Sequence, residues 1–182
     1  MKIPAVSLGL AALLCSASPA AEKGGIHLPQ TRDGLPLHGA GVLRKGYFFR
    51  IYVGALYAEA AHTDRILTEV PKRIDIHFFH HTPKKHMVRT AEKTLRKNLP
   101  DTAYETLLPK IKKLHAAFRD GEEGSCASIR YEPGKGLTYL FDGEPAVIIE
   151  GDDFANAYFS IWLGERPSSR SMKEAMLNKE SL

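Results

Sequence analysis

The fold is decided by residues 131–164, which read YEPGKGLTYLFDGEPAVIIEGDDFANAYFSIWLG. Asp142-Gly143 within this stretch is the strongest two-residue hairpin signal in the chain. Short runs of apolar and β-branched residues on both sides of it predict antiparallel strands. These strands are expected over residues 127–131, 137–141 and 146–150. A helix capped by Asp152 or Asp153 follows, so this stretch alone predicts a sheet with a helix packed on it.

The sequence before this stretch continues the pattern of antiparallel strands and separate helices. Residues 47–57 are rich in aromatic and β-branched side chains, which predicts a strand with two largely apolar faces. A strand at 37–43 is expected to pair with it, and another strand is expected at 73–79. Further helices are predicted to begin after Thr82-Pro83, at Asp101 and at Ser171. Strands and helices segregated in this way indicate an α+β fold.

The first twenty residues have the composition of an export signal. Lys2 gives a positive start, the apolar run 6–14 is too short to span a bilayer, and small residues stand at the cleavage position. We therefore predict that residues 1–20 are a signal peptide and that the mature protein is periplasmic or secreted. Residues 21–36 are polar and rich in glycine and proline, and are expected to form a flexible lead-in to one domain over 37–182.

The composition excludes several classes of protein. A net charge of +4 over 182 residues is mildly basic, and the chain does not alternate basic and exposed aromatic residues, so nucleic-acid binding is not expected. Cys126 is the one cysteine of the mature chain, which precludes an internal disulfide. It has no activating neighbour in sequence, and no nucleophile motif is recognisable. No cofactor is indicated.

A set of short motifs recurs along the chain in a specific order and spacing. They are residues 39–41 (GAG), 43–44 (LR), 48–53 (FFRIYV), 55–57 (ALY), 133–136 (PGKG), Gly143, Gly151, Phe154, 161–164 (IWLG), Pro167 and 172–177 (MKEAML). With this set the chain resembles the chalcone isomerase-like family, specifically its exported bacterial branch. The resemblance implies an open-faced β-sandwich in which helices pack on a large antiparallel sheet. The family includes plant enzymes that close chalcones into flavanones and relatives that bind fatty acids, so the fold alone does not select an activity.

The resemblance also implies where a ligand would bind. The plant enzymes direct an arginine of the early strands at a phenolate, and the fatty-acid binders hold a carboxylate with an arginine and a tyrosine. Arg44 is the position that best matches that arginine, and Tyr52 matches the strand position of the tyrosine. Strand side chains alternate, so Arg50 is expected on the same face as Tyr52, which makes it a competing candidate. Arg44 is expected on that face too if no bulge intervenes. A guanidinium fork and a phenol in an apolar cavity would orient a fatty or aromatic acid.

Two further polar features have simpler interpretations. Four histidines lie close together in sequence, but they do not share one face and have no cysteine or carboxylate at ligand spacing, so no metal site is expected. They are His77, His80, His81 and His86. The basic helix over 84–97 is interpreted as a solvated face, with peripheral contact to an anionic membrane surface or to an envelope partner as alternatives.

These observations favour a non-catalytic binder of a small amphipathic acid, such as a fatty acid, held by Arg44 and Tyr52. The alternative is an intramolecular lyase or isomerase acting on a chalcone-like or other enone substrate, in which Arg44 stabilises an oxyanion and Tyr52 donates a hydrogen bond. The remaining catalytic residues of the plant enzymes have no match in this chain, which counts against catalysis. The sequence leaves the ligand and the oligomeric state open.

Overall fold

The computed structural model describes residues 21–46 and 48–178 of the chain. The predicted signal peptide, Tyr47 and residues 179–182 lie outside the described residues. Within the described part, no helix is long and apolar enough to cross a bilayer.

The centre of the fold is a seven-stranded sheet in which every strand pairs antiparallel with its neighbours in chain order, β3-β4-β5-β6-β7-β8-β9. Two more strands, β1 and β2, pair with each other as a separate hairpin. The strands are β1 (Ala21–Lys23), β2 (Ile26–Leu28), β3 (Thr31–Arg32), β4 (Leu35–Lys45), β5 (Phe49–Tyr57), β6 (Lys72–Phe78), β7 (Cys126–Glu132), β8 (Gly136–Phe141) and β9 (Glu144–Ile149).

The hairpin between β8 and β9 forms where the sequence predicts it. Asp142 and Gly143 both have positive φ angles, 50° and 85°, as a two-residue turn between twisted strands requires. The Asp142 side chain also accepts a hydrogen bond of 2.8 Å from the backbone N–H of Cys126. The turn is therefore tied to the neighbouring strand as well as closed on itself.

Four α-helices pack on one face of the sheet, here called the inner face. They are α1 (Lys84–Asn98), α2 (Asp101–Ala116), α3 (Asp152–Leu163) and α4 (Arg170–Leu177), and a short 3-10 helix covers Ala60–Arg65. Thr82 does not cap α1, whose first residue follows Pro83 without a side-chain cap. Ser169, rather than Ser171, caps α4 by accepting a hydrogen bond from Met172 N–H. The predicted α+β architecture, a large antiparallel sheet with helices on it, is confirmed.

Helix α4 lies close against β4 and β5 because glycines leave room for it. A Cβ atom at Gly39 would lie 2.5 Å from the carbonyl oxygen of Met176, and one at Gly41 would lie 2.8 Å from Ala175 Cβ. Met172 and Met176 are both buried at this contact. The family motif around residue 40 therefore has a packing function.

The opposite face of the sheet, here called the outer face, is partly covered by the start of the chain. Leu28 of β2 is fully buried in a second apolar cluster with Val53, Tyr57 and Phe79. The segment 21–36, expected as a flexible lead-in, instead forms three short strands and packs on the sheet. Its glycines serve the turns between those strands: Gly24 and Gly34 both have positive φ, which glycine adopts at little cost.

Candidate functional site

A cavity of about 230 Å³ lies between the inner face of the sheet and helices α1 and α3. Its walls are mostly apolar and include Leu43, Ile76, Phe78, Met87, Phe118 and Ile161. None of the described residues that line it is a lysine or an arginine. An enclosed apolar space of this kind suits a hydrocarbon or aromatic group better than a strongly hydrated one.

The mouth of the cavity is marked by the exposed residues among those that line it. His86 and Thr90 lie on the first two turns of α1, and Ser168 lies in the loop before α4. Their spacing of four residues puts His86 and Thr90 on one side of the helix. The opening therefore runs along the N-terminal half of α1.

Tyr52 and Trp162 bring polar atoms into this apolar wall. Tyr52 is half-buried, and its ring meets the edge of Phe78 at 6.3 Å between centroids. Burial raises the pKa of Tyr52 to about 12, although a hydrogen bond from the Trp162 indole acts in the opposite direction. The phenol therefore stays protonated at neutral pH and is available as a hydrogen-bond donor.

A second polar group in the wall is connected to the surface through buried side chains. The hydroxyl of Tyr158 is 3.0 Å from His115 Nε2, and His115 Nδ1 is 3.7 Å from a carboxylate oxygen of the half-exposed Glu92. His115 Nδ1 is buried and has no hydrogen-bond partner among the described residues. Burial lowers the pKa of His115, with Glu92 opposing the shift, and raises the pKa of Tyr158 well above its usual value. At neutral pH the pair is therefore a neutral imidazole and a neutral phenol.

The structure places the three predicted ligand-binding residues on two different faces. Leu43 pairs with Tyr52, but the next residue, Arg44, pairs with Arg50, so Ile51 is an extra residue in β5. A bulge of this kind reverses the alternation of side chains beyond it. Tyr52 consequently lines the cavity, whereas Arg50 lies on the outer face.

The surroundings of the two arginines agree with this register. Arg50 Cζ lies 4.3 Å from the ring centre of Phe79, and its guanidinium donates to the carbonyl of Gly24 at 2.7 Å. Arg44 is exposed at the hairpin end of β4 and does not line the cavity. The structure therefore does not bring Arg44 and Tyr52 together, and the expectation that Arg50 shares the face of Tyr52 is corrected by the bulge. A ligand-binding role for either arginine stays a prediction.

Sequence reasoning missed the two side chains that accompany Tyr52 in the wall. Trp162 was expected in the core and Tyr158 was not singled out, and both are more than nine-tenths buried. The four-residue spacing of Phe154, Tyr158 and Trp162 on α3 was the available signal, because it aligns three aromatic rings on one side of the helix. That signal does not distinguish a filled core from the wall of a cavity.

One group of side chains on the outer face has donor atoms suited to a metal ion. Asp75, His77 and Cys126 bring a carboxylate oxygen, an imidazole nitrogen and a thiol within 4.8 Å of one another. Asp75 is already paired with two arginines, Arg73 at 2.6 Å and Arg32 at 3.4 Å. Burial raises the pKa of the Cys126 thiol to about 11 and lowers the pKa of His77. Two guanidinium groups and a protonated thiol oppose a further cation, so we derive no function from this group.

The four histidines near β6 lie in different surroundings. His77 is 3.9 Å from Cys126 Sγ, and His81 is paired with Glu122 at 2.8 Å. The ring of His80 stacks on Phe49, and His86 stands at the cavity mouth. The short distances between them in sequence therefore do not bring them into one site.

An apolar cavity beneath helices that pack on an antiparallel sheet has the character of the concave pockets in which proteins bind small molecules. The sequence profile of the chalcone isomerase-like family matches residues 20–178, and the chain belongs to that family. Among solved structures, it is similar to a fatty-acid binding protein of Arabidopsis thaliana, with a TM-score of 0.70 and 13% identity over 89% of this chain and 97% of that one. No curated protein sequence is detectably similar.

Proposed function

We propose that this protein binds one amphipathic molecule with an aliphatic chain, such as a fatty acid, in the cavity beneath α1 and α3. The observation that carries the proposal is the apolar cavity between the inner face of the sheet and helices α1 and α3. Protein interiors are usually filled to crystal-like density, so an open space of this size is a feature that needs a use. The similarity to a fatty-acid binding protein supports the same interpretation.

The size of the cavity favours a slender ligand. About 230 Å³ falls just below the range of about 300–1,000 Å³ that is typical of small-molecule pockets. A single aliphatic chain fits such a space with less rearrangement than a rigid polycyclic molecule. The long, mobile side chain of Met87 in the wall also allows adjustment to chains of different length.

We place the polar head group of the ligand near the mouth and the chain inside. Tyr52 and His86 are the side chains positioned to hydrogen-bond an acid there, since one is half-buried in the wall and the other stands at the opening. A carboxylate at the mouth keeps part of its hydration, which avoids the high cost of burying an unpaired charge.

Two measurements test the proposal. Native mass spectrometry of protein purified from its own host should show a bound organic acid, and calorimetric titration with lauric acid should show one site. Ala91→Phe places a ring in the cavity and should weaken binding at least tenfold, whereas Ala116→Phe on the exposed side of α2 should not. Tyr52→Phe removes one hydrogen bond and should weaken binding by about tenfold or less. Wild-type protein that carries no acid and binds none would refute the proposal.

Export is part of the proposal, because residues 1–20 have the composition of a signal peptide. A binder in the periplasm would meet lipids and fatty acids outside the reach of cytoplasmic enzymes. Cell fractionation with N-terminal sequencing of the mature protein tests this part independently. An N-terminus that begins at Met1 in the cytoplasmic fraction would contradict it.

A second candidate function, proton transfer to an enone substrate, is favoured by one observation. Tyr158 lines the cavity and its hydroxyl contacts His115, which in turn faces Glu92. Such a series of groups delivers a proton from the surface only if the 3.7 Å gap between His115 Nδ1 and Glu92 closes to hydrogen-bond distance. A turnover assay with chalcones distinguishes the two candidates: measurable cyclisation that Tyr158→Phe abolishes would favour the enzyme, and its absence leaves the binder.

A further inference from the structure

Two aromatic side chains at the tip of the β4–β5 hairpin are exposed to solvent. Phe48 is 94% exposed and Phe49 is 54% exposed, and Ile148 on the far edge of the sheet is the other large apolar side chain exposed in the described residues. Two adjacent exposed phenylalanines are unfavourable in water. Clusters of this kind usually mark a surface that contacts another phase or molecule.

Exposed basic side chains lie on the same hairpin and on the first turns of α1. Arg44 and Lys45 are exposed on the same hairpin, and Lys85 and Arg89 are exposed on the first turns of α1. The chain has no acidic residue between Gly34 and Ala58. Phenylalanine flanked by lysine and arginine is the composition that inserts into the interface of an anionic bilayer.

The acidic side chains near α1 are already engaged. Asp120 accepts a hydrogen bond from the N–H of Lys84, and Glu122 is paired with His81. Glu92, the single acidic residue of α1, faces the buried His115. These carboxylates keep their negative charge, but no ion pair among the described residues joins them to Arg44, Lys45, Lys85 or Arg89.

The β4–β5 hairpin and the start of α1 both border the cavity. The Phe49 ring stacks on His80 at 5.0 Å between centroids, two residues before Thr82 at the cavity wall. Leu43 and Ile51 of the hairpin line the same cavity as His86 of α1. The exposed aromatic and basic residues consequently flank the mouth.

We propose that this region docks the protein on an anionic lipid bilayer with the cavity mouth turned toward the lipid. The docking surface consists of Arg44, Lys45, Phe48, Phe49, Lys85 and Arg89. The phenylalanine rings enter the interface, the basic side chains contact lipid phosphates, and the mouth opens where a single-chain lipid can pass without crossing water. The exchange of ligand rests on the proposed function, whereas the docking itself does not.

Flotation with lipid vesicles tests the docking. The full protein is mixed with vesicles of phosphatidylcholine containing phosphatidylglycerol, and separately with vesicles of phosphatidylcholine alone. Wild type should bind the anionic vesicles, and binding should fall as salt is raised. Phe48→Ala with Phe49→Ala should lower the partition coefficient at least about tenfold. Arg44→Ala with Lys45→Ala should lower it about fivefold per charge on anionic vesicles and leave neutral vesicles unaffected.

The control variant is Ile148→Ala. Ile148 is exposed to the same 54% as Phe49 but lies on β9, at the opposite edge of the sheet, and its removal should leave vesicle binding unchanged. A wild-type protein that does not float with anionic vesicles, or an equal loss in Ile148→Ala, overturns the proposal.

Two variants should separate ligand binding from membrane docking. Ala91→Phe should keep full vesicle binding while losing lauric acid, and the double phenylalanine variant should show the reverse. If wild type floats but binds no acid, the docking stands and the proposed function falls.

Discussion

The two faces of the sheet use their side chains in opposite ways. On the outer face, buried ion pairs join charged side chains, with Arg73 bonded to Asp75 of the same strand at 2.6 Å and to Asp33 of the β3–β4 turn at 2.7 Å. On the inner face, apolar side chains pack closely at one end of the sheet and leave a cavity at the other. The difference indicates that buried charge pairs contribute to stability on the outer face, whereas apolar packing around a cavity does so on the inner face.

Removing the carboxylate of Asp75 should produce the largest loss of stability on the outer face. Asp75 is fully buried and Arg73 nearly so, and Asp75→Ala would leave a buried guanidinium short of its closest partner. We expect a loss of about 3–5 kcal/mol in the free energy of unfolding, measured by urea denaturation. Lys135→Ala is the control, because its 2.7 Å pair with Glu132 is mostly exposed and should contribute less than about 1 kcal/mol. Equal losses in the two variants would mean that the buried ion pairs of Asp75 contribute no more stability than an exposed ion pair.

Two isoleucines of β6 compare the filled and open ends of the inner face directly. Ile74 is fully buried in the core, whereas Ile76, two residues further on the same face, is half-buried and lines the cavity. Ile74→Ala should cost about 4 kcal/mol, within the usual range for such truncations. Ile76→Ala should cost roughly half as much, because its side chain already borders free space.

Urea denaturation of both variants measures these stability losses, and titration with lauric acid measures their effect on binding. Ile76→Ala should change the affinity or the preferred chain length of the acid, and Ile74→Ala should change neither in the folded protein. Similar stability losses at both positions would mean that the cavity closes in solution.

Lys72 should give a pH-dependent effect at the filled end. Its ammonium lies among the backbone carbonyls of Thr68 and Val70, the side-chain oxygen of Asn156 and the ring of Tyr131. Burial lowers the pKa of Lys72 to about 7, and the charge of Asp152 opposes the shift. The unfolded chain, with a pKa near 10.5, binds more protons between these values, so this group makes stability rise as pH increases from about 7 to about 10.

Lys72→Met should remove that rise, which thermal denaturation across the pH range would measure. Arg73 behaves differently from Lys72. Its carboxylate partners raise its pKa, so it stays charged across the pH range. A wild-type curve without the rise would indicate that the carbonyl acceptors hold Lys72 in its charged form.

The strands and helices were accessible from the sequence to a large extent. The predicted strand at 137–141 is observed as Gly136–Phe141. The helix expected after residue 150 is observed as Asp152–Leu163, although its N-cap position is Gly151 and neither aspartate caps it. Local signals sufficed there, because turn residues and side-chain periodicity act over a few neighbouring positions. The flexible lead-in was not foreseen correctly, since its strands are stabilised by burial of Leu28 against distant residues.

The candidate site was only partly accessible. Tyr52 was placed correctly in a cavity wall, but a single extra residue, Ile51, moved Arg50 to the other face and left Arg44 outside. A bulge depends on how two strands pair, so the sequence of one strand does not reveal it. The contact of Tyr158 with His115 joins residues 43 positions apart, which spacing within one element cannot reveal.

By itself, the sequence determined the kind of elements, their order and the family, because turn chemistry and periodic apolar positions are encoded locally. Only the tertiary structure decided which side chains face the cavity, where its mouth lies, and that the exposed phenylalanines lie on a hairpin that borders the same cavity as α1. Those features depend on strand register and on the packing of α1 and α3 across the sheet. They arise from contacts between segments far apart in the chain, and the sequence of each segment alone gives no signal of the contact.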